Sequence, residues 1–259
     1  MKLTRLQSLA GRLAAPALLG CSLLAAGMSL ATAAAPFEDT MAQRTLACTA
    51  CHGPQGRAAA DGYYPRLAGK PAGYLYNQLL NFREGRRHYG LMTRLIDPLS
   101  NAYLLEIAQY FADLDVPYPA PPAAQAPEAV LRLGQQLVMQ GDASRQVPAC
   151  VQCHGRAMTG VVPDVPGLLG LPRDYLSAQL GAWKAGQRRA HAPDCMKDVV
   201  ARLSLEDINA VASWVAAQPL PADTHAASSP PAAAPGGDPL RCGSAVLPAT
   251  GMLETKAQK

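Results

Sequence analysis

Two pentapeptides constrain this chain more than anything else in it: CTACH, residues 48–52, and CVQCH, residues 150–154. Both are C-x-x-C-H, the attachment signature of covalently bound c-type haem. Two thiols about one helical turn apart can form thioethers with both vinyl groups of one porphyrin, and the adjacent imidazole is left facing the iron. A chain that carries two such groups must build its core around them. A C-x-x-C pair without the His could be a redox dithiol or half of a zinc site, but the two pairs are too far apart to fit the usual ligand spacings of zinc.

Superposing the two motifs reveals an internal repeat of the whole unit. CTACHGPQG leads to YPRLAG, YLYNQLLNFREGRR, Met92 and LSNAYLLEIAQYFADL; CVQCHGRAM leads to VPGLLG, YLSAQLGAWKAGQRR, Met196 and LSLEDINAVASWVAAQ. Met92 precedes Leu99 by seven residues, and Met196 precedes Leu203 by seven. The closing segments read as helices, capped at Ser100 and Ser204, with Asp207 at the acidic position of a capping box. Leu104, Ile107, Ala108 and Phe111 in one, and Ile208, Val211, Ala212 and Val215 in the other, recur at helical spacing as core positions. The middle segments predict helices that stop at Gly85 and Gly186. APEAVLRLGQQLVMQG predicts an amphipathic helix before the second motif, and the shorter EDTMAQRTLACTAC serves the first. No segment carries a strand pattern.

The start, MKLTRLQSLAGRLAAPALLGCSLLAAGMSLATAAAP, reads as a secretory signal peptide over residues 1–35: Lys2, Arg5 and Arg12, an apolar run, then small residues with A-x-A sites. Two readings would instead tie the chain to a membrane. Leu13 to Ala35 is long enough to persist as an anchor, and LLGC ending at Cys21 is a degenerate lipoprotein site. Removing the leader lowers the formal charge from +4 to about +1, so nothing suggests a nucleic-acid partner. Export to the periplasm agrees with haem attachment. The remaining layout is an N-terminal unit over 36–116, a stiff Pro-rich connector over 117–127, a C-terminal unit over 128–219 and a Pro/Ala-rich tail over 220–259, mobile unless Cys242 holds it.

The doubled pattern C-x-x-C-H-G, P-x-L-x-G, Y-L-x-x-Q-L, Met and the L-S helix, over roughly residues 38–219, resembles the dihaem class I cytochromes c of the periplasmic c-four type. The resemblance implies an all-α fold of two tandem class I cytochrome c domains, each a small helical bundle around one of two covalently bound haem c groups. It implies that Cys48 and Cys51 bind one haem and Cys150 and Cys153 the other. His52 and His154 are then the proximal iron ligands and Met92 and Met196 the distal ones. Pro65 and Pro166 match the proline whose carbonyl accepts the other ring N–H of the proximal His. Arg87 and Arg189 match positions near the haem propionates, or else form a solvated basic turn. HGRAM departs from the family's HGPxG turn.

Rivals to the methionines are His88 and His191, whose bland reading is a surface histidine in the loop before the ligand. Met139 reads as helix packing, Met158 lies too close to its own motif, and Met252 belongs to the tail. Cys195, beside Met196, has three readings: a disulfide to Cys242, a free buried thiol, or an iron ligand replacing Met196. The functional expectation is an electron carrier between a quinol-oxidising complex or periplasmic dehydrogenase and a terminal oxidase or reductase. The alternatives are a dihaem enzyme resembling a thiosulfate dehydrogenase or a peroxidase, which needs an open, labile or Cys-ligated iron, and the cytochrome subunit of a larger dehydrogenase.

Overall fold

Helix caps and breaks set where each element begins and stops. In this computed structural model, which describes residues 38–59, 62–231 and 242–247, the leader and the remaining tail lie outside the described residues. The first motif's helix is broken in two, α1 (Met41–Arg44) and α2 (Leu46–His52). The break falls at Thr45, which is fully buried and turns its hydroxyl back to donate to the Met41 carbonyl at 2.7 Å. Such back-bonding competes with the helix ladder and bends the chain. The middle helices α3 (Ala72–Arg83) and α8 (Arg173–Lys184) follow Pro71 and Pro172, and both end at glycines with φ of +72° and +70°. Only glycine takes that left-handed turn at little cost, so these helices stop where the sequence places them.

Two short helices, α4 (Gly90–Ile96) and α9 (Cys195–Ala201), carry Met92 and Met196. Seven residues are too few to display a helical period, and sequence patterning leaves these segments unassigned. The closing helices α5 (Asn101–Ala112) and α10 (Leu205–Ala216) begin as expected. Ser100 accepts from the Tyr103 amide, and Ser204 and Asp207 form a full capping box. α6 (Glu128–Met139) crosses α10 closely enough that a side chain on Gly134 would strike the Ala210 backbone. The second motif ends in the single turn α7 (Val151–His154).

One expectation fails locally. β1 (Gly160–Val161) and β2 (Val165–Pro166) form a small antiparallel hairpin with Gly160 opposite Pro166. Gly160, at φ +100°, sits where a Cβ would lie 2.6 Å from the Gly167 nitrogen, so the turn depends on having no side chain there. Two residues per strand are too few to show alternation.

Two apolar clusters form the cores. Tyr76, Leu104 and Phe111 lie at the centre of one, and Leu137, Val138, Val200 and Val215 at the centre of the other. From Asp39 onward the chain forms one compact unit. The halves meet closely: a Cβ on Gly73 of α3 would lie 2.6 Å from the Pro163 carbonyl, and the Arg189 amide donates to the Arg86 carbonyl at 2.7 Å. In the connector, the Tyr118 ring carries the Arg66 guanidinium at 3.7 Å. The tail is held at two places. Ala227 pairs with Gly160 and Val162 through two backbone hydrogen bonds of 2.9 Å, and Cys242 forms a disulfide with Cys195. Beyond it the Gly243 amide donates to the Pro193 carbonyl at 2.8 Å. Asn77 of α3 donates to Ser244 at 2.7 Å and accepts from the Ala245 amide at 2.8 Å, so the tail reaches from one half to the other.

The capping box has a measurable weight. Asp207 is buried and also takes an ion pair from Arg145 at 2.6 Å. Burial works against its carboxylate, but the bonds from Arg145 and Ser204 prevail and its pKa lies below the usual range. A depressed carboxylate stabilises the fold above its unfolded pKa and loses that contribution as pH falls through the folded one. Asp207→Ala is expected to cost about 1–2 kcal/mol near neutral pH in denaturant unfolding, with the difference from the parent shrinking below about pH 4.

Candidate haem sites

Each C-x-x-C-H run ends with its imidazole turned inward, because the helix closes on the His and the following glycine takes the chain away. His52 and His154 are buried, and each donates its Nδ1–H at 2.8 Å to a proline carbonyl, of Pro65 and Pro166 respectively. A carbonyl only accepts, so this fixes the tautomer and leaves Nε2 unprotonated. Burial pushes both imidazoles toward the neutral form, with Arg87 adding to the effect at His52 and Lys70 at His154. A neutral ring with a free Nε2 is what a metal ligand requires.

The four motif cysteines are partly buried and unpaired with one another. Burial raises the thiols of Cys48 and Cys153, and pushes Cys150 up to about 11. Cys48, Cys150 and Cys153 are therefore neutral thiols rather than the thiolates of a redox pair. Among the described residues no group of three or more His, Cys, Asp and Glu converges as a site for a metal ion.

All four cysteines and both histidines line one continuous cavity of about 1310 Å³, together with Met92 and Met196. Its walls are largely apolar, with Leu75, Ile107 and Phe111 on one side and Leu176, Trp183 and Val211 on the other. The two rival histidines also border it, but His191 accepts from Arg86 through Nε2 at 3.1 Å, and His88 is exposed. The sulfur of Cys195 is bonded to Cys242, which removes it from the candidate ligands.

Where the halves meet, the cavity is bordered by a two-fold arrangement of cations without carboxylates. Arg87 and Arg188 pair across the seam as an isolated β-bridge. Arg87 donates to Gln78, Tyr175 and Gln179, and Arg188 donates to Gln179 and Gln78 at 2.7 and 2.9 Å. Each guanidinium lies over an aromatic ring at the matching repeat position, Phe82 at 4.4 Å and Trp183 at 3.8 Å. Burial, then Arg87, lowers Arg188 to about 10. Two adjacent cations, Arg188 buried and Arg87 half-buried, whose partners are neutral amides and phenols call for an anion. The carboxylates of bound haem suit the planar fork of arginine, so the donor set fits the group that the motifs imply. The repeat mate of Arg87 is thus Arg188, and of the two readings of Arg189 the solvated basic turn is the one that fits its place. Arg189 is exposed and reaches the Gly85 carbonyl at 3.4 Å. Tyr74 with Tyr175 and Gln78 with Gln179 were present in the sequence as the repeated Y-L-x-x-Q-L, but the pattern alone did not assign them to the seam.

The comparisons with known proteins agree with this architecture. A family model, Cytochrome c, matches residues 37–102. The thiosulfate dehydrogenase electron acceptor of Thiomonas intermedia (strain K12) is 39% identical over 212 residues, covering 81% of this chain and 92% of that protein. The crystal structure of reduced recombinant cytochrome c4 from Pseudomonas stutzeri superposes with a TM-score of 0.57 at 30% identity, covering 67% of this chain and 95% of that one. This chain belongs to the dihaem cytochrome c4 family. A thiosulfate dehydrogenase (TsdBA) from Marichromatium purpuratum matches with a TM-score of 0.59 at 34% identity, covering 67% of this cytochrome but only 36% of that longer chain. This cytochrome c4 relative carries two covalently bound haem c groups and is an electron-transfer protein. Among its described residues no helix is long and apolar enough to cross a membrane.

The disulfide makes a separable prediction for this cytochrome. Cys195 and Cys242 are 47 residues apart, a loop whose closure contributes about 2–4 kcal/mol. Replacing both by serine is expected to lower stability by that amount in denaturant titration of the holoprotein. The haem absorption spectrum should stay unchanged in both oxidation states.

Proposed function

We propose that the chain is a periplasmic shuttle that takes electrons from a thiosulfate-oxidising dehydrogenase and passes them to a terminal oxidase or reductase. In this reading residues 36–116 and 128–219 are its two haem domains. Cys48 and Cys51 would anchor one haem and Cys150 and Cys153 the other, with His52 and Met92, and His154 and Met196, as the residues that would hold the irons. The haems supply one-electron exchange; the protein decides where the electron rests and what can reach it.

The chain's own groups have distinct tasks here. Pro65 and Pro166 hold the proximal rings in the tautomer that offers Nε2. Met92 and Met196, which line the same cavity, would each offer a thioether to a bound haem, which would favour the reduced state and leave no place for substrate. Arg87 and Arg188 neutralise the haem carboxylates at the seam and keep them from repelling one another. The apolar walls exclude water, so little solvent has to reorganise when charge moves.

The observation that carries the carrier reading is the bond between Cys195 and Cys242. A thiolate ligand was the feature that would have favoured catalysis at the second haem, and that sulfur is engaged elsewhere. The donor is suggested by the name of the Thiomonas relative, and the compartment by the leader at residues 1–35 and by the chemistry of haem attachment.

Thiosulfate alone is expected to leave the oxidised protein oxidised, and addition of a catalytic amount of a thiosulfate dehydrogenase should reduce both haems, as followed by visible absorption. Reduction by thiosulfate without the dehydrogenase, at comparable rate, would instead make the chain the enzyme. Met196→Ala is expected to abolish the thioether-to-iron absorption of the second site, turn that site high-spin or open to added cyanide, and leave the first site unaltered.

A further inference from the structure

The repeat is broken at one buried position, where a cation stands in one half and an apolar side chain in the other. LAGKPAGYL in the first half aligns with LLGLPRDYL in the second, which sets Lys70 against Leu171. Lys70 is 3% exposed and has no carboxylate in contact: its ammonium donates to the Gly167 carbonyl in the other half at 2.8 Å. Gly167 directly follows Pro166, whose carbonyl orients His154. Lys70 therefore crosses the seam and ends on the loop that holds the second proximal histidine, and it borders the same cavity. Nothing equivalent returns from the second half, because Leu171 has no charge and no polar atom. The nearest comparable cation, Arg66, is directed away, onto the carbonyls of Ala68, Val116 and Pro117.

Burying an ammonium without a counter-charge is costly, and the cost shows in Lys70, whose pKa burial and then Arg66 lower to about 7. A leucine would fit the apolar seam more cheaply, as the second half demonstrates. A residue kept there against that cost has an electrostatic consequence at short range in a medium of low polarity.

We propose that Lys70 is a positioning residue for electron transfer: delivered by the first half to the proximal loop of the second, its charge favours the reduced state of the second haem and makes the two sites unequal. The inference rests on His154 being that haem's ligand. One electron leaves the first site, which is oxidised, and enters the second, which is reduced; no bond forms or breaks, and at a pH about a unit or more below the value of about 7 to which burial lowers Lys70 its ammonium stays charged throughout. An oxidised iron carries one more positive charge than a reduced one, so a neighbouring cation opposes oxidation of the second site and draws the electron there.

The test is an optically followed redox titration of the intact dihaem protein at about pH 6, where Lys70, lowered to about 7, carries its charge. Met92→His serves as a label, since a second imidazole lowers the potential of the first site alone and identifies its wave. Lys70→Gln keeps a donor for the Gly167 carbonyl and removes the charge; Lys70→Met removes both, and Lys70→Arg keeps the charge. The expected result is a downward shift of the second wave in the Gln and Met variants, an unmoved first wave, and recovery in the Arg variant. A second wave that stays in place in Lys70→Gln, or two waves that fall together, overturns the proposal. A Met92→His protein in which neither wave moves overturns the ligand assignment instead, which separates the two failures. Neutral residues at this buried place relieve a desolvation cost, so the Gln and Met variants are expected to fold at least as stably as the parent.

Discussion

The hydrogen bond from each proximal histidine to a proline carbonyl is the constraint on which the rest of the structure depends. It is a single contact of 2.8 Å in each half, yet it ties the end of the motif helix to a loop more than ten residues further on. That loop must come back across the motif to present its carbonyl, and both halves achieve this with the same turn, which brings Leu67 and Ala68 onto the Gly56 carbonyl and Leu168 and Leu169 onto the Met158 carbonyl. The second half adds the hairpin whose strand β2 contains Pro166 itself. The helix following the loop and the methionine helix of each half then line the cavity.

The second requirement is to bring two such units together without exposing the sites to each other's charge. The seam meets it with groups supplied in equal measure by both repeats: an arginine over an aromatic ring, a tyrosine and a glutamine from each side. Because every donor there finds an amide, phenol or carbonyl, the two arginines remain net cations, which suits carboxylates and little else. The tail adds a tether that the repeat lacks. Its disulfide begins beside Met196, and its next residues end on Asn77 of the other half, where the repeat mate is Ala178. The strap therefore depends on a polar residue present in only one unit.

Much of this was legible in the sequence because the same instructions appear twice. The motif pair, the capping serines of α5 and α10, and the glycines ending α3 and α8 are local signals with a direct steric or hydrogen-bonding cause, and they act where they stand. Met92 and Met196 were found by register, although the helices carrying them were not, since a seven-residue helix has no readable period. Arg188, which the sequence reading passed over, shows the limit of register: adjacent arginines are equivalent in a sequence, and only the turn after Gly186 decides which one enters the seam. Lys70 was unremarked for a related reason. A lysine in a loop reads as solvated, and its burial comes entirely from the other half of the molecule. The hairpin at Gly160 and the pairing of Ala227 with it are long-range contacts of a few residues, beyond any local pattern.

The central claim is that both irons are held between a histidine and a methionine, in two sites that exchange electrons through one shared interior. Magnetic and optical spectra of the purified oxidised protein test it most directly, taken together with haem quantification per chain. The account predicts two haems per chain, both low-spin, with thioether-to-iron absorption of an intensity that requires two methionine ligands. A high-spin iron in the untreated protein, a thiolate-type signal, or an absorption band worth only one methionine would contradict it.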